Sequence, residues 1–120
     1  MFANDSCVSI VPYFKVKDGK MNEFRDLCRR FVDKTKPESQ CLYYGFSFNG
    51  NRVHCREGYK NAEGLLTHLD NVGELLKESS MYADIEILEV HGAESELAKL
   101  RKPLEGLKPQ FFGLEMGFRN

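Results

Sequence analysis

The chain has 120 residues, 42% of them hydrophobic and 12% aromatic, which fits one folded domain over residues 1–120 and excludes a disordered polypeptide. Its 17 basic and 18 acidic residues leave a net charge of −1, so charge gives no reason to expect nucleic acid or an anionic membrane as a partner. No run approaches a membrane span, residues 1–5 do not read as a signal peptide, and Cys7, Cys28, Cys41 and Cys55 lack metal-ligand spacing, so a cytoplasmic protein with reduced thiols and no metal is expected.

Cys7 to Lys17 reads as a strand, with Val8, Ile10, Phe14 and Val16 on one face and Cys7, Ser9, Val11, Tyr13 and Lys15 on the other. Both faces are fairly apolar, which predicts cover on both sides. Pro12 cannot donate to a ladder and calls for an edge position or a bulge. Asp18-Gly19 then offers a turn and an N-cap. Met21, Phe24, Leu27, Cys28 and Phe31 follow at helical spacing, predicting an amphipathic helix over about 20–35 that Pro37 ends.

The stretch CLYYGFSFNGNRVHCREGY, from Cys41 to Tyr59, reads as a hairpin turning at Asn49-Gly50. That register pairs Phe48 with Asn51, Phe46 with Val53, Tyr44 with Cys55 and Leu42 with Glu57. Alternation puts Leu42, Tyr44, Phe46, Phe48, Val53, Cys55, Glu57 and Tyr59 on one face, and Tyr43, Gly45, Ser47, Arg52, His54 and Arg56 on the other. His54 and Cys55 therefore point opposite ways and form no nucleophile pair. Glu57 is the odd member of an apolar face. Because a buried unpaired carboxylate is costly, a place at the sheet's rim or beside a cation is weighed above a buried functional acid.

Asn61 is a candidate N-cap for a second helix, about 62–78, striped by Leu65, Leu69, Val72 and Leu76 with His68 on the flank. Gly64 and Gly73 weaken it, and a break near Asn71 is allowed for. A fourth strand is read over 81–90 and a short helix over about 95–106, with Pro103 disturbing its middle. QFFGLEMGF then alternates as a fifth strand, with Phe112, Leu114, Met116 and Phe118 facing one way. Such a terminal strand needs cover, for which a second subunit is expected.

Strand, helix, strand, strand, helix, strand is the ferredoxin-like split βαβ order, an α+β fold whose two helices lie on one face of an antiparallel sheet. The open face, carrying Val11, Tyr13, Tyr43, Arg52, His54 and Arg56, suits packing against a second copy.

The run ESQCLYYGFSFNGNRVHCREGYKNAEGLLTHLDN resembles the signature region of the antibiotic biosynthesis monooxygenase family. Glu38, Ser39, Gln40 and Cys41 match the start of the family's aromatic-rich strand. Glu57 and Tyr59 match its acid and aromatic, and Thr67-His68-Leu69 matches the motif on its helix. The first strand and KDGKMNEF are similar too, so the likeness covers about residues 6–92 and leaves about 93–120 as an extension. The resemblance implies a dimeric α/β barrel, a homodimer with a small-molecule pocket between sheet and helices in each subunit. It implies a cofactor-independent monooxygenase, an oxidoreductase using dioxygen on a small aromatic, phenolic or quinol-like substrate.

Carried over by position, the pocket candidates are Tyr44, Glu57, Tyr59, His68 and Asn71. Haem-degrading members rely on a tryptophan beside an asparagine and a histidine. This chain has no tryptophan, and only Asn4 loosely matches that asparagine, which argues against haem. Oxygenation without metal or flavin needs a base, donors for an oxyanion and a dry pocket. His68 is the candidate base, Glu57 its orienting carboxyl, and Tyr44, Tyr59 and Asn71 would bind or orient substrate. Against this stand a structural histidine joining helix to sheet, and a non-catalytic dimeric barrel that binds a small apolar ligand. A pocket lined by His68, Glu57 and a tyrosine would favour chemistry; a closed apolar void would favour binding alone.

Overall fold

The computed structural model describes residues 5–120, so Asn4 lies outside the described residues. The elements are β1 (Val8–Val16), α1 (Met21–Thr35), β2 (Cys41–Asn49), β3 (Arg52–Tyr59), α2 (Ala62–Asn71), α3 (Gly73–Ser79), β4 (Ala83–Gly92), α4 (Glu94–Leu100) and β5 (Gln110–Gly113). The sheet order is β2-β3-β1-β4-β5, antiparallel except that β5 runs parallel to β4. This is the expected ferredoxin-like α+β arrangement with one strand added, and the sheet is open rather than closed on itself.

Alternation in β1 buries Val8, Ile10, Phe14 and Val16 against the helices. Phe24, Leu27, Cys28 and Phe31 of α1 complete one half of the core with Val53, Val72 and Ala83. Tyr59, Ala62, Leu65, Val90, Leu97, Leu100 and Leu104 form the other half. β1 is central, so Pro12 is not at an edge. It pairs with Leu88 of β4, while the ladder to β3 skips Val11 and Pro12, and a register shift follows between Tyr13 and Phe14. The missing N–H falls in that interruption, which fits the bulge alternative.

Several expectations change. The hairpin turns at Gly50-Asn51, one residue later than read, so Phe48 faces Val53, Phe46 faces Cys55 and Tyr44 faces Glu57. Gly50, at the first central position, takes φ 61° and supplies the positive dihedral that a tight hairpin turn needs there. Leu42 leaves the apolar face because the ladder shifts between Cys41 and Tyr43, leaving Leu42 exposed and Cys41 packed on the core. Asp18 does not cap α1: its N-cap is Lys20, with no side-chain hydrogen bond. The fifth strand stops at Gly113, and Leu114, Met116 and Phe118 lie beyond it, exposed.

The second helix is broken as allowed for, at Val72, whose buried side chain joins α2 to α3. Asn61 caps α2 as expected, its side-chain oxygen accepting from the Gly64 N–H at 2.8 Å. The segment after α4 is shorter in helix than expected, ending at Leu100. A 3₁₀ turn (Glu105–Leu107) follows Pro103. Among the described residues, no helix is long and apolar enough to cross a membrane.

Candidate functional site

Tyr44 and Glu57 are directly opposed on β2 and β3, both on the helix side of the sheet. Two residues further along β3, the buried Tyr59 shares that face and donates its hydroxyl to Glu57 Oε1 at 2.5 Å. α2 lies over these residues and brings His68 down between two carboxyls. The ring's Nδ1 stands 2.9 Å from Glu38 Oε2 and its Nε2 stands 3.3 Å from Glu57 Oε1. Glu38 comes from the loop between α1 and β2. Asn71 steadies it from the end of α2, donating from Nδ2 to Glu38 Oε2 at 2.7 Å and to the Lys34 carbonyl at 2.9 Å. The rings of Tyr44 and Tyr59 lie 5.3 and 5.0 Å from the imidazole.

Glu57 is 4% exposed, which overturns its expected place at the rim. The expected cation beside it is a histidine that burial keeps from charging readily. Burial holds the His68 pKa below its ordinary value, opposed by the hydrogen bond and charge of Glu38. Burial also pushes Glu57 up to about 7, against the hydrogen bonds from Tyr59 and Cys55, with Glu38 adding a smaller repulsion. The two shifts fit one assignment of protons. The Glu38 carboxylate accepts the Nδ1–H, so Nε2 of the neutral ring is an acceptor facing Glu57. A protonated Glu57, with Oε1 at 3.3 Å, stands close enough to pass a proton to that nitrogen. Near neutral pH the pair therefore holds one proton that can leave or return at little cost.

These groups stand at the polar end of a cavity of about 160 Å³ between the sheet and its helices. Tyr44, Cys55, Glu57 and His68 line that end; Phe14, Phe31, Phe46 and the aliphatic side chains of Ile85 and Leu88 form much of the remaining wall. Burial first, then the neighbouring Glu57, raises the Tyr44 phenol well beyond its ordinary value, so it remains a hydroxyl. The Cys55 thiol is raised for the same reasons, which argues against a nucleophile. Among the described residues, no group of three or more His, Cys, Asp or Glu is arranged to hold a metal ion.

Of the expected residues, Tyr44, Glu57 and His68 line the cavity. Tyr59 and Asn71 do not; each holds a carboxyl instead, Tyr59 that of Glu57 and Asn71 that of Glu38. The corrected role follows from geometry, since the Tyr59 hydroxyl is committed to Glu57 and the Asn71 Nδ2 to Glu38 and the Lys34 carbonyl. Glu38 was matched only as part of a strand-opening motif, and its contact with His68 was not anticipated. Its place in a loop offers no periodic signal, and only its nearness in sequence to the aromatic hairpin could have hinted at it.

No family model matches the chain, and no curated protein sequence does. Solved structures do. MupZ from Pseudomonas fluorescens is 48% identical with a TM-score of 0.91, the match covering 95% of this chain and 94% of MupZ. A conserved protein from Methanosarcina mazei is 25% identical with a TM-score of 0.67, covering 72% of this chain and 91% of its own. A protein from Caulobacter crescentus, provisionally named an antibiotic biosynthesis monooxygenase, is 19% identical with a TM-score of 0.64, covering 72% of this chain and 88% of its own. The unmatched part of this chain in the last two is comparable in size to its C-terminal extension.

Proposed function

This chain belongs to the family of MupZ, and we propose that it is an antibiotic biosynthesis monooxygenase-like protein whose pocket transfers a proton to or from a small, largely apolar substrate. The observation that carries this is the Glu57–His68 pair, buried at the polar end of an apolar cavity, with the carboxyl brought to about 7. A catalytic acid or base works best with a pKa near the working pH, and desolvation has tuned Glu57 to that value. Glu57 and His68 are the proposed catalytic residues, Tyr44 a substrate-binding donor, and Glu38, Tyr59 and Asn71 positioning residues.

The finer reading is a cofactor-independent monooxygenase acting on a phenol or quinol. The Caulobacter protein's name and the acid–base pair support it. Glu57, relayed to His68, removes the phenolic proton, and the electron-rich anion reacts with dioxygen. One oxygen atom enters the ring carbon in place of hydrogen and the other leaves as water, so a phenol plus dioxygen gives a quinone plus water with no external reductant. Tyr44 would donate to the developing oxyanion.

The alternative, a barrel that only binds an apolar ligand, predicts a cavity without convergent polar groups; the arrangement of Tyr44, Glu57 and His68 weighs against it.

The working unit is proposed to be a homodimer packed through the open sheet face. There Tyr13 stacks on His54 with ring centroids 5.5 Å apart, Arg56 lies over Tyr43, and Ile87 is exposed. A contribution from residues beyond Gly113 belongs to the same proposal.

The test is oxygen uptake and product formation with a panel of quinols and phenols, with Glu57→Gln alongside. The reading expects uptake matched to product and a loss of at least about 100-fold in kcat for the variant. Turnover that persists under nitrogen would leave proton transfer and remove the oxidation. Equal turnover by the variant would remove Glu57 from the chemistry.

A further inference from the structure

The cavity has one wall that does not come from the four-stranded core. Leu107, at the end of the 3₁₀ turn in the C-terminal extension, lines it together with Leu69 of α2, Leu76 of α3, and Ile85 and Leu88 of β4. Leu107 and Ile85 are also among the large apolar side chains left exposed, at 52% and 46%. Residues that both line a cavity and meet solvent mark its mouth. The mouth is therefore aliphatic where Leu107 and Ile85 form it.

The backbone holds Leu107 firmly in place. On one side, Leu104 is buried in the core beside Leu97 and Leu100. The Leu107 N–H donates to the Leu104 carbonyl at 2.9 Å, closing the turn. On the other side, Lys108 takes the left-handed conformation (φ 52°, ψ 52°), a sparsely used region for a residue with a side chain. This reverses the chain into Pro109 and β5, which pairs with Glu89 to Gly92 of β4. Phe111 packs on the core, under the Arg101 guanidinium at 4.8 Å. Anchors on both sides, with an uncommon backbone angle between them, present one leucine at the mouth.

We propose that Leu107 is the specificity-determining residue of the pocket, setting the length and girth of the apolar portion of the substrate that can lie between the polar end and solvent. The proposal rests on the reading of Glu57 and His68 as the polar end. It adds the class of occupant: a molecule with one ionisable hydroxyl and an aliphatic substituent pointing away from it, long enough to reach Leu107. MupZ, which matches nearly the whole chain, extends through this region, whereas the shorter matches leave a comparable length unmatched.

The experiment measures dissociation constants for phenol and its 4-ethyl, 4-butyl and 4-hexyl derivatives by calorimetry on the full chain. It compares the wild type with Leu107→Ala, Leu107→Trp and Glu57→Gln. Each buried methylene is worth about fourfold in affinity until the chain meets the wall. The wild-type series should gain at that rate and then level off. Leu107→Ala should move the plateau to a longer chain by about two methylenes and weaken the shorter ligands, while Leu107→Trp should bring the plateau forward. Length profiles that run parallel in all three proteins would overturn the role of Leu107 and leave the acid–base reading standing. A plateau that moves with Leu107, joined to a pH dependence of binding that Glu57→Gln does not alter, would support the wall and defeat the reading of Glu57. No binding by any member to the wild type would defeat both.

Discussion

Replacing Glu57 by glutamine should make the protein more stable above neutral pH. The carboxyl shifts from an ordinary value of 4.5 to about 7 because burial penalises its charged form. A difference of about 2.5 units corresponds to roughly 3 kcal/mol at 1.36 kcal/mol per unit. The folded state binds the Glu57 proton more tightly than the unfolded state, so this contribution is fully favourable below pH 4.5. It is lost as pH rises through the window from 4.5 to about 7 and stays lost above it. Glutamine has the same shape, keeps an oxygen to accept from Tyr59, and is never charged. Its amide needs partners of its own, which takes back about 1 kcal/mol and leaves a net gain of roughly 2 kcal/mol at pH 8.

His68 must be separated from this effect. Its lowered pKa means the unfolded state binds its proton better, so its contribution is lost as pH falls below 6.5, the opposite slope. Taking the difference between variant and wild type at each pH removes that term to first order. Thermal melts followed by circular dichroism from pH 4 to 9 should show a variant about 3–5 °C lower than the wild type at pH 4 and about 6–10 °C higher at pH 8. A difference that does not vary with pH would refute the claim that Glu57 is held buried and uncharged by desolvation.

Two further outcomes follow from the same geometry. Tyr59→Phe removes a hydrogen bond that lowers the Glu57 pKa, so the midpoint of Glu57 titration, followed by carboxyl-selective NMR, should move above its wild-type position near 7. A midpoint that moved down would contradict the donor role. Gly92→Ala would bring a methyl within 2.9 Å of Val8 Cγ1 and 3.3 Å of the Cys7 carbonyl, in the buried core. A loss of about 1–3 kcal/mol in urea unfolding is expected, and an unchanged midpoint would show that β1 yields there.

Much of the architecture was legible because two periodicities carry it. Alternate residues of the aromatic hairpin separated Glu57 from His54, and three-and-four spacing placed His68 towards the sheet. Displacing the turn by one position moved the strand pairing by two, which left both faces as they were read from Tyr43 onward. The depth of Glu57 was not legible: burial depends on α2 crossing over that point of β3, a tertiary fact. Glu38 was hidden for a related reason, since it sits in a loop and meets His68 thirty positions away. The last residues misled in the opposite sense. Leu114, Met116 and Phe118 alternate as a strand does, yet within this chain β4 offers partners only as far as Gly113.

The two-step displacement of the hairpin has a consequence for how such a loop can vary. Side chains flip with every odd change in the count between Tyr44 and Glu57, and return with every even one. A lineage could lengthen or trim this bend by pairs and keep its acid facing the helices. A single-codon deletion would swing Arg56 into the cavity and cast the carboxyl out, so this short bend acts as a reading frame for the chemistry beneath it.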